Sequence, residues 1–141
     1  MALFHLEILS PGRAFYVGDC RSLILPISDG MMGIMANHEP MTAAIPEGEV
    51  TFELPDGERR VCAVTLGMAD VSGNRVKLLC ESVLRPDEID EEHERRRAEE
   101  AMAEMRKKQS HKDFMLSQIA FAKAVNNLRV KQHNAMKVNH L

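Results

Sequence analysis

Tryptophan is missing from this chain and tyrosine occurs once. Stacking platforms for unpaired bases are therefore scarce, and a nucleic-acid binder is not expected. No apolar run approaches the ~20 residues that cross a bilayer. The opening residues, MALFHLEIL, carry neither the basic front nor the cleavage site of a signal peptide, so a soluble, cytoplasmic chain is expected. Cysteine is sparse and odd in number: Cys20, Cys62 and Cys80 lie far apart in apolar runs. That spacing suits neither a disulfide framework nor a zinc site, and it predicts buried free thiols. A Gly-x-x-x-x-Gly-Lys phosphate loop, a nucleophile elbow and a His-Glu-x-x-His pair are all absent. The residues assemble no catalytic constellation and imply no cofactor. They leave a binding or regulatory element.

What is present is an ordinary globular composition, 45% hydrophobic over 141 residues, enough for one domain with a smaller appendage. The net charge of −3 hides an asymmetry. Residues 1–84 carry 6 basic and 11 acidic side chains, whereas residues 85–141 carry 12 basic and 10 acidic. From His111 onward Lys112, Lys123, Arg129, Lys131 and Lys137 face only Asp113. A solvated helix and an acidic protein partner both account for such a run.

The first 84 residues have the period of half-buried strands. Phe4, Leu6 and Ile8 alternate with His5, Glu7 and Leu9; Val50, Phe52 and Leu54 alternate with Thr51 and Glu53. Cys62, Val64 and Leu66 continue the pattern, as do Val76, Leu78 and Cys80. Residues 20–27 are apolar enough for a strand buried on both sides, with Pro26 marking an edge or end. Pro55-Asp56-Gly57-Glu58 and Ser72-Gly73-Asn74 are turn signals. Many short strands with turns between them predict a β-sandwich or flattened barrel over 1–85.

One stretch punctuates this half: DGMMGIMANHEPMTAAIPEG, residues 29–48. Gly30 and Gly33 bracket Met31 and Met32 in a step that suits a tight turn. The two methionines serve either a core or a contact surface. His38 is either a hydrogen-bonded loop histidine or a ligand, and Pro40 biases Glu39 toward an extended shape. His38-Glu39 is a bare pair, so a metal would need ligands from elsewhere, such as His5.

At Arg85-Pro86 the period becomes helical, and 86–141 reads as an antiparallel two-helix hairpin. Asp87 and Asp90 are candidate N-caps of the first helix, which ends on Arg106, Lys107 and Lys108. Glu91–Arg95, Glu92–Arg96 and Glu104–Lys108 are i,i+4 pairs in the favourable order. Its apolar side is thin: Ala98, Ala101, Met102 and Met105. Arg95, Arg96 and Arg97 point around the axis and cannot converge on one phosphate. Gln109 to Lys112 form a break with Ser110 as cap. The second helix shows Phe114, Phe121, Val125 and Leu128 on one face with Ile119 and Ala122 beside it. Each helix is expected to run about 20 residues, roughly 30 Å, and the polar end from Gln132 to Leu141 is expected to fray.

In order and length these pieces resemble the epsilon subunit of bacterial F-type ATP synthases, over nearly the whole chain. The residues that carry the resemblance are Gly30-Met31-Met32-Gly33-Ile34, His38-x-Pro40 and Pro46-x-Gly48, then Gly67-Met68-Ala69-Asp70-Val71 and Asn74-Arg75-Val76. Ala122 to Val130 resembles the family's second helix. The resemblance implies a non-catalytic central-stalk subunit, peripheral to the cytoplasmic face of the bacterial membrane. Its sandwich would grip gamma and touch the rotor ring of c subunits through Gly30, Met31, Met32, Gly33, His38 and Pro40. Its hairpin would lie folded or rise along gamma. Lys123, Arg129 and Lys131 would then meet an acidic segment of the beta subunit and suppress ATP hydrolysis.

Departures from the family qualify this. Met31 stands where a glutamate facing the ring is usual, and His38-Glu39-Pro40-Met41 replaces smaller residues. Some members bind ATP through an Ile/Leu-Asp-x-x-Arg-Ala motif; Ile89 and Asp90 are retained here, but His93-Glu94 replace Arg-Ala. Glu100, Lys123 and Asn127 stand at what look like the other arginine positions. Phosphates would meet Glu94 and Glu100, so no useful ATP binding is expected. Two other classes are a free-standing ATP sensor, disfavoured by the lost arginines, and a small metal-dependent β-barrel enzyme using His38, Glu39 and His5.

Overall fold

The computed structural model describes residues 2–107 and 110–139, with side chains through 135. The chain divides into two units, Met1–Arg85 and Pro86–Leu141. The first is a β-sandwich of ten strands: β1 (Phe4–Ser10), β2 (Arg13–Cys20), β3 (Ser22–Ile27), β4 (Gly30–Met35), β5 (Met41–Ile45), β6 (Gly48–Glu53), β7 (Arg59–Val64), β8 (Gly67–Ser72), β9 (Arg75–Cys80) and β10 (Val83–Leu84). One sheet has the order β2-β1-β9-β8-β5 and the other β10-β7-β6-β3-β4. Alternation along the strands turns Phe4, Leu6, Ile8, Val76 and Leu78 of the first sheet toward Leu23, Leu25, Val50, Phe52 and Val64 of the second, all in one buried cluster. The Tyr16 ring lies 5.0 Å from that of Phe52 and ties the edge strand β2 to the opposite sheet.

Both turn signals close hairpins. Gly57 takes φ 90°, and Asp56 Oδ1 accepts a hydrogen bond from the Glu58 N–H at 2.9 Å. Gly73 and Asn74 take φ 56° and 59°, the two left-handed residues that a tight two-residue hairpin requires.

The glycine stretch is not the tight turn that its sequence suggests. Gly30 (φ 138°) opens β4, but Gly33 is extended within it and pairs with Ile24. Neighbouring pairing outweighs glycine's turn preference. The alternation of β4 also answers the question of the methionines: Met31 is exposed, whereas Met32 packs on the core. β3 is not buried on both sides throughout, since Ile24 is exposed on its outer face, although Pro26 on that face is buried. Its Pro26 lies beyond the residues that pair with β6, where no ladder N–H is needed.

In the second unit a short 3-10 turn (Pro86–Glu88) leads to α1 (Glu91–Arg106) and α2 (His111–Asn139). Asp90 is the N-cap of α1, its carboxylate accepting from the His93 N–H at 3.1 Å, whereas Asp87 belongs to the 3-10 turn. Ser110 Oγ accepts from the Asp113 N–H at 3.2 Å and caps α2. The helices are antiparallel. Arg97, Ala101 and Glu104 share a groove with Ala120, Ser117 and Leu116, while Lys131 Nζ donates to the Pro86 carbonyl at 3.1 Å.

Three expectations for this unit need correction, and a fourth falls outside the described residues. α2 continues through Asn139, well past Gln132, because the segment contains neither glycine nor proline to stop it; residues 140 and 141 lie outside the described residues. The pair Glu91–Arg95 forms at 3.1 Å, but no Glu92–Arg96 pair occurs among the described residues. Lys108 lies outside the described residues, and Glu104 pairs with Lys107 at 2.7 Å. Phe114 and Ile119 are exposed, and among the described side chains of α2 the buried ones are Ala124, Asn126, Asn127 and Val130. None of the described helices is long and apolar enough to cross a membrane.

Candidate functional site

β4 is the free edge of its sheet, and its six residues, GMMGIM, contain no charge and no proline. Edge strands normally carry such residues to prevent pairing with another chain. The outward row is Met31, Gly33 and Met35, with the two methionines 56% and 64% exposed. Gly33 has no neighbour within 4 Å of where a Cβ would stand, and its φ does not require glycine. Nothing inside the fold explains the missing side chain.

The loop 36–40 then crosses from β4 to β5 on the other sheet. Asn37 takes φ 63°, and His38 Nδ1 lies 2.8 Å from the Glu39 carbonyl oxygen. His38 is half-buried and Pro40 exposed. The structure therefore does not gather the six predicted contact residues at one point. Met31 is the second residue of β4 and His38 follows its end, with about 13 Å of strand from Met31 to Met35 alone. His5 is taken up by Glu7, Nε2 to Oε1 at 3.6 Å. Among the described residues no three His, Cys, Asp or Glu side chains stand together as a metal site.

A second surface lies on the outer face of the other sheet and escaped the sequence reading. Register pairs Ala44 with Met68, Met68 with Leu79, Leu79 with Leu9 and Leu9 with Ala14. These residues form one uncharged row across all five strands. Met68 and Leu79 are 54% and 52% exposed, and Leu66 just before β8 is 49% exposed. The next row is polar: Thr42 Oγ1 donates to Asp70 Oδ1 at 3.4 Å, and Lys77 Nζ meets Glu7 Oε2 at 3.8 Å. The available signal was leucine at outward positions of an alternating strand, Leu9 after Ile8 and Leu79 after Leu78.

On the hairpin, the three predicted basic contacts are placed differently. Lys131 is engaged with Pro86, Lys123 is half-buried and Arg129 is exposed. Glu94 is buried and holds Arg97 at 3.2 Å. Ile89 is buried and Asp90 is occupied as the helix cap. The three thiols are free and buried, and burial pushes the Cys80 thiol up to about 11 and raises Cys62 and Cys20 as well, so they remain protonated. Two exposed, uncharged surfaces on the sandwich, followed by a hairpin with few buried apolar residues, are what the geometry offers.

Residues 3–86 match the family model described as the ATP synthase delta/epsilon chain, beta-sandwich domain. An ATP synthase epsilon chain of Caldicellulosiruptor bescii is 30% identical over 138 residues, covering 98% of this chain and 100% of its own length. One from Ruminiclostridium cellulolyticum is 33% identical over 128 residues, covering 91% and 95%. Among solved structures, a chain of the Euglena gracilis mitochondrial ATP synthase OSCP/F1/c-ring assembly shares the fold with a TM-score of 0.77 at 19% identity, covering 96% of this chain and 82% of that one. With the sandwich matched from end to end and relatives aligned through the hairpin, this chain belongs to the ATP synthase delta/epsilon family.

Proposed function

We propose that this chain is the non-catalytic stalk subunit that couples gamma to the c-subunit rotor ring of a bacterial F-type ATP synthase and restrains ATP hydrolysis through its helical hairpin. It works at the cytoplasmic face of the membrane, held there by the complex. The observation that carries the reading is the uncharged row Ala44–Met68–Leu79–Leu9–Ala14, which leaves apolar surface on a folded domain, the kind of face that a protein partner covers. We assign this row to gamma. The edge of β4 meets the rotor ring. A glycine at position 33 with no internal reason for its bare backbone suits close approach by another chain, and Met31 makes that contact apolar.

The hairpin supplies the regulatory part. Its two helices bury little apolar surface, so its folded state sits only a few kcal/mol from rearrangement, which a population shift requires. Arg129 is already exposed, and releasing Lys131 from Pro86 would free a second cation for an acidic segment of the beta subunit.

The test is removal of the hairpin by truncation after Arg85. The truncated chain still assembles with gamma and the ring, and ATP hydrolysis by the complex rises. Unchanged hydrolysis would show that the hairpin is no brake. The hairpin offers ATP no useful site, because the Asp90 carboxylate caps α1 through the His93 N–H and Glu94 would set a carboxylate against the phosphates. Calorimetric titration with Mg-ATP detects no sub-millimolar affinity; a clear isotherm in that range would reverse this assignment.

A further inference from the structure

Asn74 occupies the second left-handed position of the β8–β9 hairpin, and its side chain reaches two other parts of the chain. Its Oδ1 accepts a hydrogen bond from the Asn37 backbone N–H at 2.7 Å. Its Nδ2 donates to the Leu3 carbonyl at 2.9 Å, and its own carbonyl accepts from the His5 N–H at 3.2 Å. An N–H needs an acceptor and a carbonyl needs a donor, so the two contacts together fix which way the amide points. Asn37 is the left-handed residue immediately before His38, in the loop that crosses between the sheets. Asparagine is unusual in combining tolerance of this backbone conformation with one donor group and one acceptor oxygen at the end of a short side chain.

We infer that Asn74 is a positioning residue, whose amide holds loop 36–40 in the shape that presents His38 and Pro40 to the rotor stalk. The inference rests on the family resemblance, which implies that His38 and Pro40 of this loop are partner contacts. Asn74 touches no partner itself. It ties the loop to the N-terminal strand and to the β8–β9 turn, so the loop is ordered before binding and less entropy is lost when the partner arrives.

Two substitutions separate this role from simple stability. Asn74→Gly keeps the left-handed turn and removes the amide, whereas Asn74→Asp keeps an oxygen for the Asn37 N–H and loses the donor to Leu3. In Asn74→Gly, hydrogen exchange at the Asn37 amide accelerates about tenfold, and affinity for an immobilised gamma–c-ring subcomplex falls roughly 5- to 10-fold, the worth of about one hydrogen bond. Asn74→Asp restores both Asn37 protection and affinity. If Asn74→Gly proves unstable, Asn74→Asp still decides: lost affinity with Asn37 protection intact overturns the inference. So does parental affinity in a folded Asn74→Gly chain. His38→Asp serves as the control on the loop itself. If it weakens capture while Asn74→Gly does not, the inference alone fails; if it leaves capture unchanged, the loop is no contact and both readings fall.

Discussion

The sandwich and the hairpin are built on opposite principles. The sandwich buries Leu6, Ile8, Leu23, Leu25, Ile34, Val50, Phe52 and Leu78 in one cluster without a charged member. Each such side chain is worth about 1.5–3 kcal/mol when fully removed from water. Among the described residues of the hairpin the buried apolar ones are Ile89, Ala101, Ala124 and Val130, and Glu94, Asn126 and Asn127 are buried as well. Alanines give up little apolar area, and a buried carboxylate costs free energy that its partners only partly offset. Every strand of the first unit is thus fixed by a dense core, while the second depends on caps, ion pairs and light packing. The contrast teaches where rigidity is needed. A docking platform loses affinity if it deforms, whereas a regulatory element loses its use if it cannot move.

Four substitutions, grouped at three places, test that contrast. The largest effect is expected at Gly67, where a Cβ would stand 2.2 Å from the Leu79 carbonyl oxygen and 2.8 Å from the Cys80 Cα. These are backbone atoms that cannot swing aside. Gly67→Ala should cost the sandwich about 3 kcal/mol or more in urea unfolding; a loss under about 1 kcal/mol would mean the core yields more readily than drawn here. The middle effect concerns Glu94. Arg97→Ala leaves the buried carboxylate with one fewer cation and lowers hairpin stability by about 1 kcal/mol, discounted because Arg97 is partly exposed. Glu94→Leu is neutral or stabilising by thermal melting; a strong loss from it would show that the hairpin depends on its charge. The smallest effect is Asp90→Ala, which removes the cap on the His93 N–H. It lowers the helix melting temperature by an amount worth about 0.5 kcal/mol, and an unchanged helical circular-dichroism melt would count against the cap.

Local periodicity made much of the fold readable. β1, β6 and β9 alternate cleanly, so their inward faces follow from the residues alone. β2 does not, because its register shifts at a bulge opposite Ile8 and Leu9 and breaks the alternation of RAFYVGDC. β4 and β5 were hidden for another reason. Glycine in GMMGIM reads as a turn, and the small residues of MTAAI carry too little hydrophobic contrast to show a face. In the hairpin the caps at Asp90 and Ser110 were legible as short-range chemistry. The buried Glu94, Asn126 and Asn127 were not, since their type argues for solvent.

The candidate surfaces divide along the same line. The β4 stretch stood out by its unusual residues, but only strand pairing made it an exposed sheet edge with its glycine facing outward. Ala44, Met68, Leu79, Leu9 and Ala14 come from five separate strands, and no window of sequence shows that they share a row.

The sequence by itself determined the two-part plan, the strand-to-helix change at Pro86 and the hairpin turns. Each of these depends on residues within one or two turns of each other along the chain. Only the tertiary structure decided which faces remain open to partners and that Asn74 fastens the His38 loop. Those follow from register between distant strands, and register is set by the collective fit of the core rather than by any local preference.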